Sequence, residues 1–246
     1  MTPVLKTAFG ILFSALGLTL TLSLPAQETQ TTGNGKIIRI DFEHSKLDSD
    51  GIPEGWVYKG KIGTPDPVYE IVKDPVSGKK VLKITADRAS GAILFDMKNI
   101  SLEKYPYMRW KWMVEKLPDG ADGLIDEKDD QGIAVYMGSG RFTQTSVAYR
   151  WENLTAKGTK GQAKYGAGFV KVFWEAMRNY QDGTGKWYTD ECNVREDLKK
   201  ALDVKKIPEK NLALSISSNS QYTGTKAVSY LEYIEFLELP PSNKGK

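Results

Sequence analysis

Aromatic and apolar side chains in this chain recur at every second residue, in short runs broken by turn residues, and a period of two restricts such runs to β-strands. Residues 107–115 show it best: Met108, Trp110, Trp112 and Val114 share one face, and Arg109, Lys111 and Glu115 share the other. A tryptophan buries about 150–250 Å², worth several kcal/mol at about 25 cal/mol per Å². A surface ion pair contributes only about 0–1 kcal/mol, so the aromatic face sets the register. The same period predicts strands at 37–43, 55–59, 68–73, 80–86, 92–97, 132–138, 146–152, 168–175, 186–189, 212–218 and 228–238. Ile133, Val135, Met137, Val147, Tyr149 and Trp151 then point inward, with Tyr136 and Arg150 outward. Turn residues such as Asp48-Ser49-Asp50-Gly51 and Gln181-Asp182-Gly183 separate the runs. Strands at this spacing predict an all-β fold, a two-sheet antiparallel β-sandwich of jelly-roll or concanavalin-like form, and argue against βαβ units. One short helix is expected at 193–203, where Asn193 caps, Glu196 completes a capping box, and Val194, Leu198 and Leu202 form an apolar stripe. Residues 156–168 read as a Gly/Lys loop, without the G-x-x-x-x-G-K-[ST] pattern of a phosphate cradle.

The N-terminal end carries Lys6, an uncharged stretch over 8–24, and Leu24-Pro25-Ala26 before Gln27. That is the layout of a secretory signal peptide over 1–26, and its apolar stretch falls short of the roughly 20 residues of a membrane span. The expected organisation is a signal peptide at 1–26, a disordered lead-in at 27–36, a single sandwich domain at 37–239 and a flexible tail at 240–246. No second long apolar run follows. The expected location is therefore periplasmic or secreted, with no membrane span after cleavage. Loss of Lys6 takes the net charge from +3 to +2, too balanced for a nucleic-acid footprint. Cys192 is the only cysteine, which rules out an intramolecular disulfide and leaves stability to the core. His44 is the only histidine, and no G-x-S-x-G elbow exists, so triad and zinc chemistry have little to draw on.

Six carboxylates, Asp119, Asp122, Asp126, Glu127, Asp129 and Asp130, sit between two of the strongest strands. Crowded carboxylate oxygens suit calcium, although the spacing does not follow D-x-[DN]-x-[DN]-G. Acids held close also suit acid/base or polar sugar contact. The plain alternative is a solvated acidic turn paired with Arg109 or Lys111. Asp41 and Glu43 near the first predicted strand, with Glu232 and Glu235 near the last, are a second candidate set for a structural calcium. Tyr136, Phe173, Trp187 and Tyr188 fall outside the core phase or near loops, where a ring face suits a sugar.

The order of YPYMRWKWMVEKLPDGAD, DDQGIAVYM, SVAYRW, ECNVREDLKKAL and NLALSISSNSQYTGTKAVSYLEYIEF resembles an exported bacterial family known as domain of unknown function 3047. The resemblance spans about 56–236, and Trp110, Trp112, Asp129, Asp130, Tyr149, Trp151 and Asn193 match its pattern. It implies an exported β-sandwich, similar in fold to jelly-roll carbohydrate-binding modules, and raises Asp129 and Asp130 above the other four acids. Two stretches depart from it. Ser217-Ser218-Asn219-Ser220-Gln221 stands where the family tends to carry D-x-D-N-T, and Tyr233 stands where an aspartate usually precedes the final Ile-x-Phe.

These residues lead to an expected exported, non-catalytic β-sandwich that binds carbohydrate or cell-envelope material. The expected ligand contacts are Arg109, Lys111, Asp129, Asp130, Tyr136 and Arg150. Asp129 and Asp130 are the candidate calcium ligands, and a structural calcium is the only cofactor considered. The alternatives are a glycan-active hydrolase or lyase using carboxylates or a Tyr/Lys/Arg set, and a structural or assembly protein of the envelope. The expected partner is a polysaccharide or envelope glycan.

Overall fold

The structure, a computed structural model, describes residues 27–32, 35–61, 63–140, 144–165 and 168–241. Trp110 and Trp112 are wholly buried and meet edge to face with ring centroids 5.4 Å apart. Across the core, Trp110 packs on Tyr149 at 5.1 Å and Trp112 on Trp151 at 5.6 Å. Aromatic pairs of this kind add about 0.5–1.5 kcal/mol each to plain area burial. They join two sheets face to face.

In chain order the strands are β1 (Gln27–Thr32), β2 (Gly35–Asp41), β3 (Trp56–Gly60), β4 (Val68–Lys73), β5 (Lys80–Asp87), β6 (Ser90–Asp96), β7 (Tyr107–Lys116), β8 (Gln131–Ser139), β9 (Gln144–Trp151), β10 (Lys160–Tyr165), β11 (Val170–Arg178), β12 (Tyr188–Cys192), β13 (Leu212–Asn219) and β14 (Lys226–Leu237). Helix α1 (Val194–Leu202) lies between β12 and β13. Among the described residues these strands make two seven-stranded sheets.

Sheet A runs β12-β7-β14, and β14 is long enough to serve two neighbours on its far side. Its residues 226–231 pair with β5, and 233–237 pair with β2. Strand β4 extends β5, and β1 extends β2. Glu232 falls at the changeover, in a bulge against β7 between Leu231 and Tyr233. A bulge re-aims the side chain it carries, and here it brings Glu232 among the basic groups of the outer face.

Sheet B runs β10-β11-β9-β8-β13-β6-β3. Its pairs are antiparallel except β9 with β11, which run parallel. The chain leaves β9, passes along the outer edge as β10, and turns back into β11. The expected two-sheet antiparallel β-sandwich is seen, with this one parallel pair making sheet B mixed.

Two expectations are corrected. Residues 27–32, expected in a disordered lead-in, form β1, and residues 160–165, expected in a loop, form β10. Both are edge strands of polar sequence, QETQTT and KGQAKY. Such strands carry little of the apolar alternation that marks buried ones. The signal segment expected at 1–26 lies outside the described residues, as does the tail beyond 241.

Helix α1 begins where expected, with Asn193 Oδ1 accepting from the Glu196 N–H at 3.1 Å. The Glu196 carboxylate turns instead to Lys199 and Arg195, so only half of the expected capping box is seen. Val194 and Leu198 are buried, and the helix packs chiefly on β9 at one end of the sandwich. Cys192 is half-buried at the end of β12. Among the described residues no helix is long and apolar enough to cross a membrane.

Candidate functional site

The core separates two outer faces, and the six expected contact residues are divided between them. Arg109 and Lys111 alternate with the buried tryptophans of β7 and so lie on the outer face of sheet A. Arg109 Nε and Nη2 both donate to Glu235 Oε2, at 2.9 and 2.7 Å. Lys111 Nζ lies 2.5 Å from Glu232, and Lys79 Nζ reaches the other oxygen of that carboxylate at 2.9 Å. Arg39 bridges Asp41 at 2.9 Å and Glu235 at 2.7 Å while its guanidinium lies 3.9 Å from the centroid of the Tyr233 ring. Burial would raise the Glu232 carboxyl, but hydrogen bonds from Lys111 and Lys79 hold it below the ordinary glutamate range.

Asp41, Glu43 and Glu232 do line one polar cleft of about 300 Å³, together with Arg39, Lys79 and Lys80. Asp41 and Glu232 are each ion-paired, and Glu43 accepts from the backbone N–H of Lys80 at 2.9 Å. The positive charge that a cation would supply is already present on side chains, so the donor set does not fit calcium.

Arg150, Asp129 and Tyr136 lie on the opposite side of the molecule, on the outer face of sheet B. Val147, Tyr149 and Trp151 point into the core, which turns Arg150 outward from β9 as expected. It does not reach water: Arg150 is only 3% exposed. Its Nη2 donates to Asp129 Oδ1 at 2.6 Å and to Gln131 Oε1 at 2.9 Å, and its Nε lies 2.7 Å from Glu152 Oε1. Its guanidinium also stacks 4.9 Å from the Trp174 ring centroid. Burial alone would lower the Arg150 pKa, but Glu152 and Asp129 hold it well above its ordinary value. Burial raises the Glu152 carboxyl and Arg150 pulls it back, with a net upward shift.

Asp129 and Asp130 turn to different partners. Asp130 Oδ2 accepts from the N–H of Thr223 at 2.7 Å and from its hydroxyl at 2.9 Å, and the residue is wholly buried. Burial raises its carboxyl despite those two bonds. Among the described residues no three acidic, histidine or cysteine side chains converge as a metal-binding group. The expected pairing of these acids with Arg109 or Lys111 is also corrected. Those cations belong to the other sheet, and Asp129 pairs with Arg150. The acidic loop is pinned to its neighbour rather than loosely solvated: Thr155 Oγ1 donates to Asp122 Oδ1 at 2.9 Å and accepts from the Gly123 N–H at 2.8 Å.

Beside Arg150 the central strands of sheet B carry a floor of small outward residues, Ala134, Ala148, Ser215 and Ser217, all buried beneath larger neighbours. Tyr136 stands over this floor, half-buried, with Gln131 Nε2 donating to its hydroxyl at 3.3 Å and Ser217 Oγ donating to it at the same distance. Burial raises its phenol, against the pull of Arg150. On β11 Trp174 lies across Gly161, with Val170 and Val172 beside it. A pit of about 30 Å³ opens next to Tyr136, between Leu94, Gln144, Val170 and Ser215.

The other flagged aromatics go elsewhere. Phe173 packs against the core, Tyr188 lies on Trp151 at 5.5 Å and under Arg178, and Trp187 Nε1 donates to Asp74 on the sheet A side. Sequence reasoning missed Glu152, Gln131, Ser217 and Trp174. Small residues at the outward positions of β8, β9 and β13 were the available signal.

A family model described as "Protein of unknown function (DUF3047)" matches residues 58–235. No curated protein matches this chain. Among solved structures, a family 11 carbohydrate-binding module of a cellulosomal cellulase of Clostridium thermocellum is similar at 8% identity, covering 78% of this chain and 94% of that one, with a TM-score of 0.40. An endoglucanase from Rhodothermus marinus is similar at 9% identity over 82% of this chain and 99% of that one, with a TM-score of 0.42. A xylan-binding domain from Paenibacillus barcinonensis is similar at 12% identity over 89% of this chain and 99% of that one, with a TM-score of 0.36.

Proposed function

The chain belongs to the family described as Protein of unknown function (DUF3047), and we propose that it is an exported, non-catalytic β-sandwich that binds carbohydrate or cell-envelope glycan on the outer face of sheet B, around Tyr136. The observation that carries this reading is Tyr136: its ring is partly open above a floor of alanines and serines, while Gln131 and Ser217 hold its hydroxyl. A ring fixed in this way presents a π face to sugar C–H groups without losing rotational freedom on binding. Thr145 and Ser146, half-buried at the pit beside it, are polar groups of the kind that orient a saccharide. The carboxylates at this end are engaged, Asp129 and Glu152 with Arg150 and Asp130 with Thr223, which favours binding over general acid/base work. Export rests on Lys6 and the uncharged stretch 8–24 of the sequence.

The test is affinity electrophoresis through gels carrying neutral envelope or plant polysaccharides. Tyr136→Ala should abolish retardation while leaving the melting temperature within a few degrees, because only a half-buried ring is removed. Full retardation of the variant on every retained polysaccharide would sink the Tyr136 assignment. N-terminal sequencing of protein recovered outside the cytoplasm should begin at or near Gln27.

A further inference from the structure

The pit beside Tyr136 has its cause in the register of sheet B. Directly opposed on β13, β8 and β9 are Ala213, Gly138 and Ser146. Gly138 follows Tyr136 by two residues, so the outward row next to the ring holds only a methyl, a hydrogen and a hydroxymethyl group. A Cβ at Gly138 would meet Ser146 Cβ at 3.3 Å and the Thr145 carbonyl oxygen at 3.7 Å. The space left is about 30 Å³, enough for one group the size of a water or a methyl.

Leu94, Val170 and Ala213 give that space an apolar wall, and Gln144 lines it from β9. Gln144 precedes Ser146 by two residues, which puts it on the same outward face, opposite Val170 of β11. It is 7% exposed, and among the described residues its Nε2 has no hydrogen-bond acceptor. A buried donor left unpaired is destabilising, so a ligand that brings an acceptor gains what the free protein lacks. The pit is therefore methyl-sized, walled by apolar side chains and served by one amide N–H donor. An acetamido group carries the matching parts, a methyl and a carbonyl oxygen on one planar unit.

We propose that the Tyr136 face binds a 2-acetamido sugar. The pyranose ring lies on Tyr136, the acetamido methyl enters the pit over Gly138, and the carbonyl oxygen accepts from Gln144 Nε2. The assignment rests on carbohydrate binding at Tyr136 and names the class of sugar bound there.

Isothermal titration of the full chain would compare tri-N-acetylchitotriose with cellotriose, which carries a hydroxyl in place of each acetamido group. The acetylated trisaccharide should bind at least about tenfold more tightly, the worth of one hydrogen bond to an otherwise unpaired donor. Gly138→Ala fills the pit and Gln144→Leu removes the donor. Either change should bring the acetylated sugar down to the affinity of cellotriose. Both variants should melt close to the parent, because Gly138 is not in the left-handed region and Gln144 Nε2 has no bond to lose. Tyr136→Ala should abolish binding of both sugars. Equal affinity for the two trisaccharides, each lost in Tyr136→Ala, would leave sugar binding at Tyr136 standing and overturn the acetamido assignment, with the pit holding water alone. So would a preference for the acetylated sugar that survives Gly138→Ala and Gln144→Leu. Binding that persists in Tyr136→Ala, or no binding of either sugar, would overturn the Tyr136 reading and this assignment with it.

Discussion

Replacing Arg150 by methionine removes a charge while keeping most of the side chain's bulk, and the consequences follow from its surroundings. Arg150 is 3% exposed and its partner Glu152 is 0% exposed, with their closest atoms 2.7 Å apart. Breaking a buried pair from one side strands the other charge, at a cost of about 3–5 kcal/mol. For a chain of this length 1 kcal/mol lowers the melting temperature by about 2–4 °C, so the expected loss is about 6–20 °C at neutral pH. The loss must depend on pH. Glu152 already has a folded-state pKa raised by burial, with Arg150 opposing the rise, so removing Arg150 raises it further. As pH falls, the folded variant takes up a proton at Glu152 before the unfolded chain does at about 4.3. The folded state then binds more protons, and its stability rises as pH falls from 8 toward 5. The deficit against the parent should shrink over that window. Adding Glu152→Gln to Arg150→Met should recover stability at pH 8 and flatten the pH dependence, the signature of coupled neighbours. Urea unfolding of the parent and the two variants at pH 5, 6.5 and 8 measures all of this. A loss below about 1 kcal/mol at pH 8, or a deficit independent of pH, would show that Arg150 does not offset the buried Glu152 charge as described.

The packing beneath Trp174 gives a second expectation. A Cβ at Gly161 would come within 2.1 Å of the Trp174 ring, so Gly161→Ala should cost about 1–3 kcal/mol by overpacking, read as a lowered denaturant midpoint. An unchanged midpoint would mean that the ring is loosely held. The third concerns metal. Because Asp41 and Glu232 hold Arg39, Lys79 and Lys111 in place of a cation, adding calcium or chelator should leave the melting temperature unchanged. A calcium-dependent rise would contradict the ion-pair account of that cleft.

Much of the fold was legible because burial leaves a local mark. Trp110, Trp112, Tyr149 and Trp151 repeat at period two, and each was placed on its correct face without knowledge of its neighbours. Asn193 announced the start of α1 for the same reason, since a cap is satisfied within three residues. Strands β1 and β10 left no such mark, because an edge strand of polar residues buries too little to need apolar alternation. The reversal that makes β9 and β11 parallel was equally silent. It depends on β10 lying outside β11, a pairing between segments with no shared pattern.

The candidate sites divide along the same line. Alternation alone determined that Arg109, Lys111, Tyr136 and Arg150 leave the core, because side chains on a strand point to opposite faces in turn. It carries no information about which sheet each strand joins. Strand order placed β7 beside β14, giving Arg109 to Glu235 and Lys111 to Glu232. It placed β8 between β9 and β13, gathering Arg150, Gln131, Tyr136 and Ser217. Outward direction is a property of one strand and was written in the sequence. Company is a property of pairing between distant strands, and only the tertiary structure decided it.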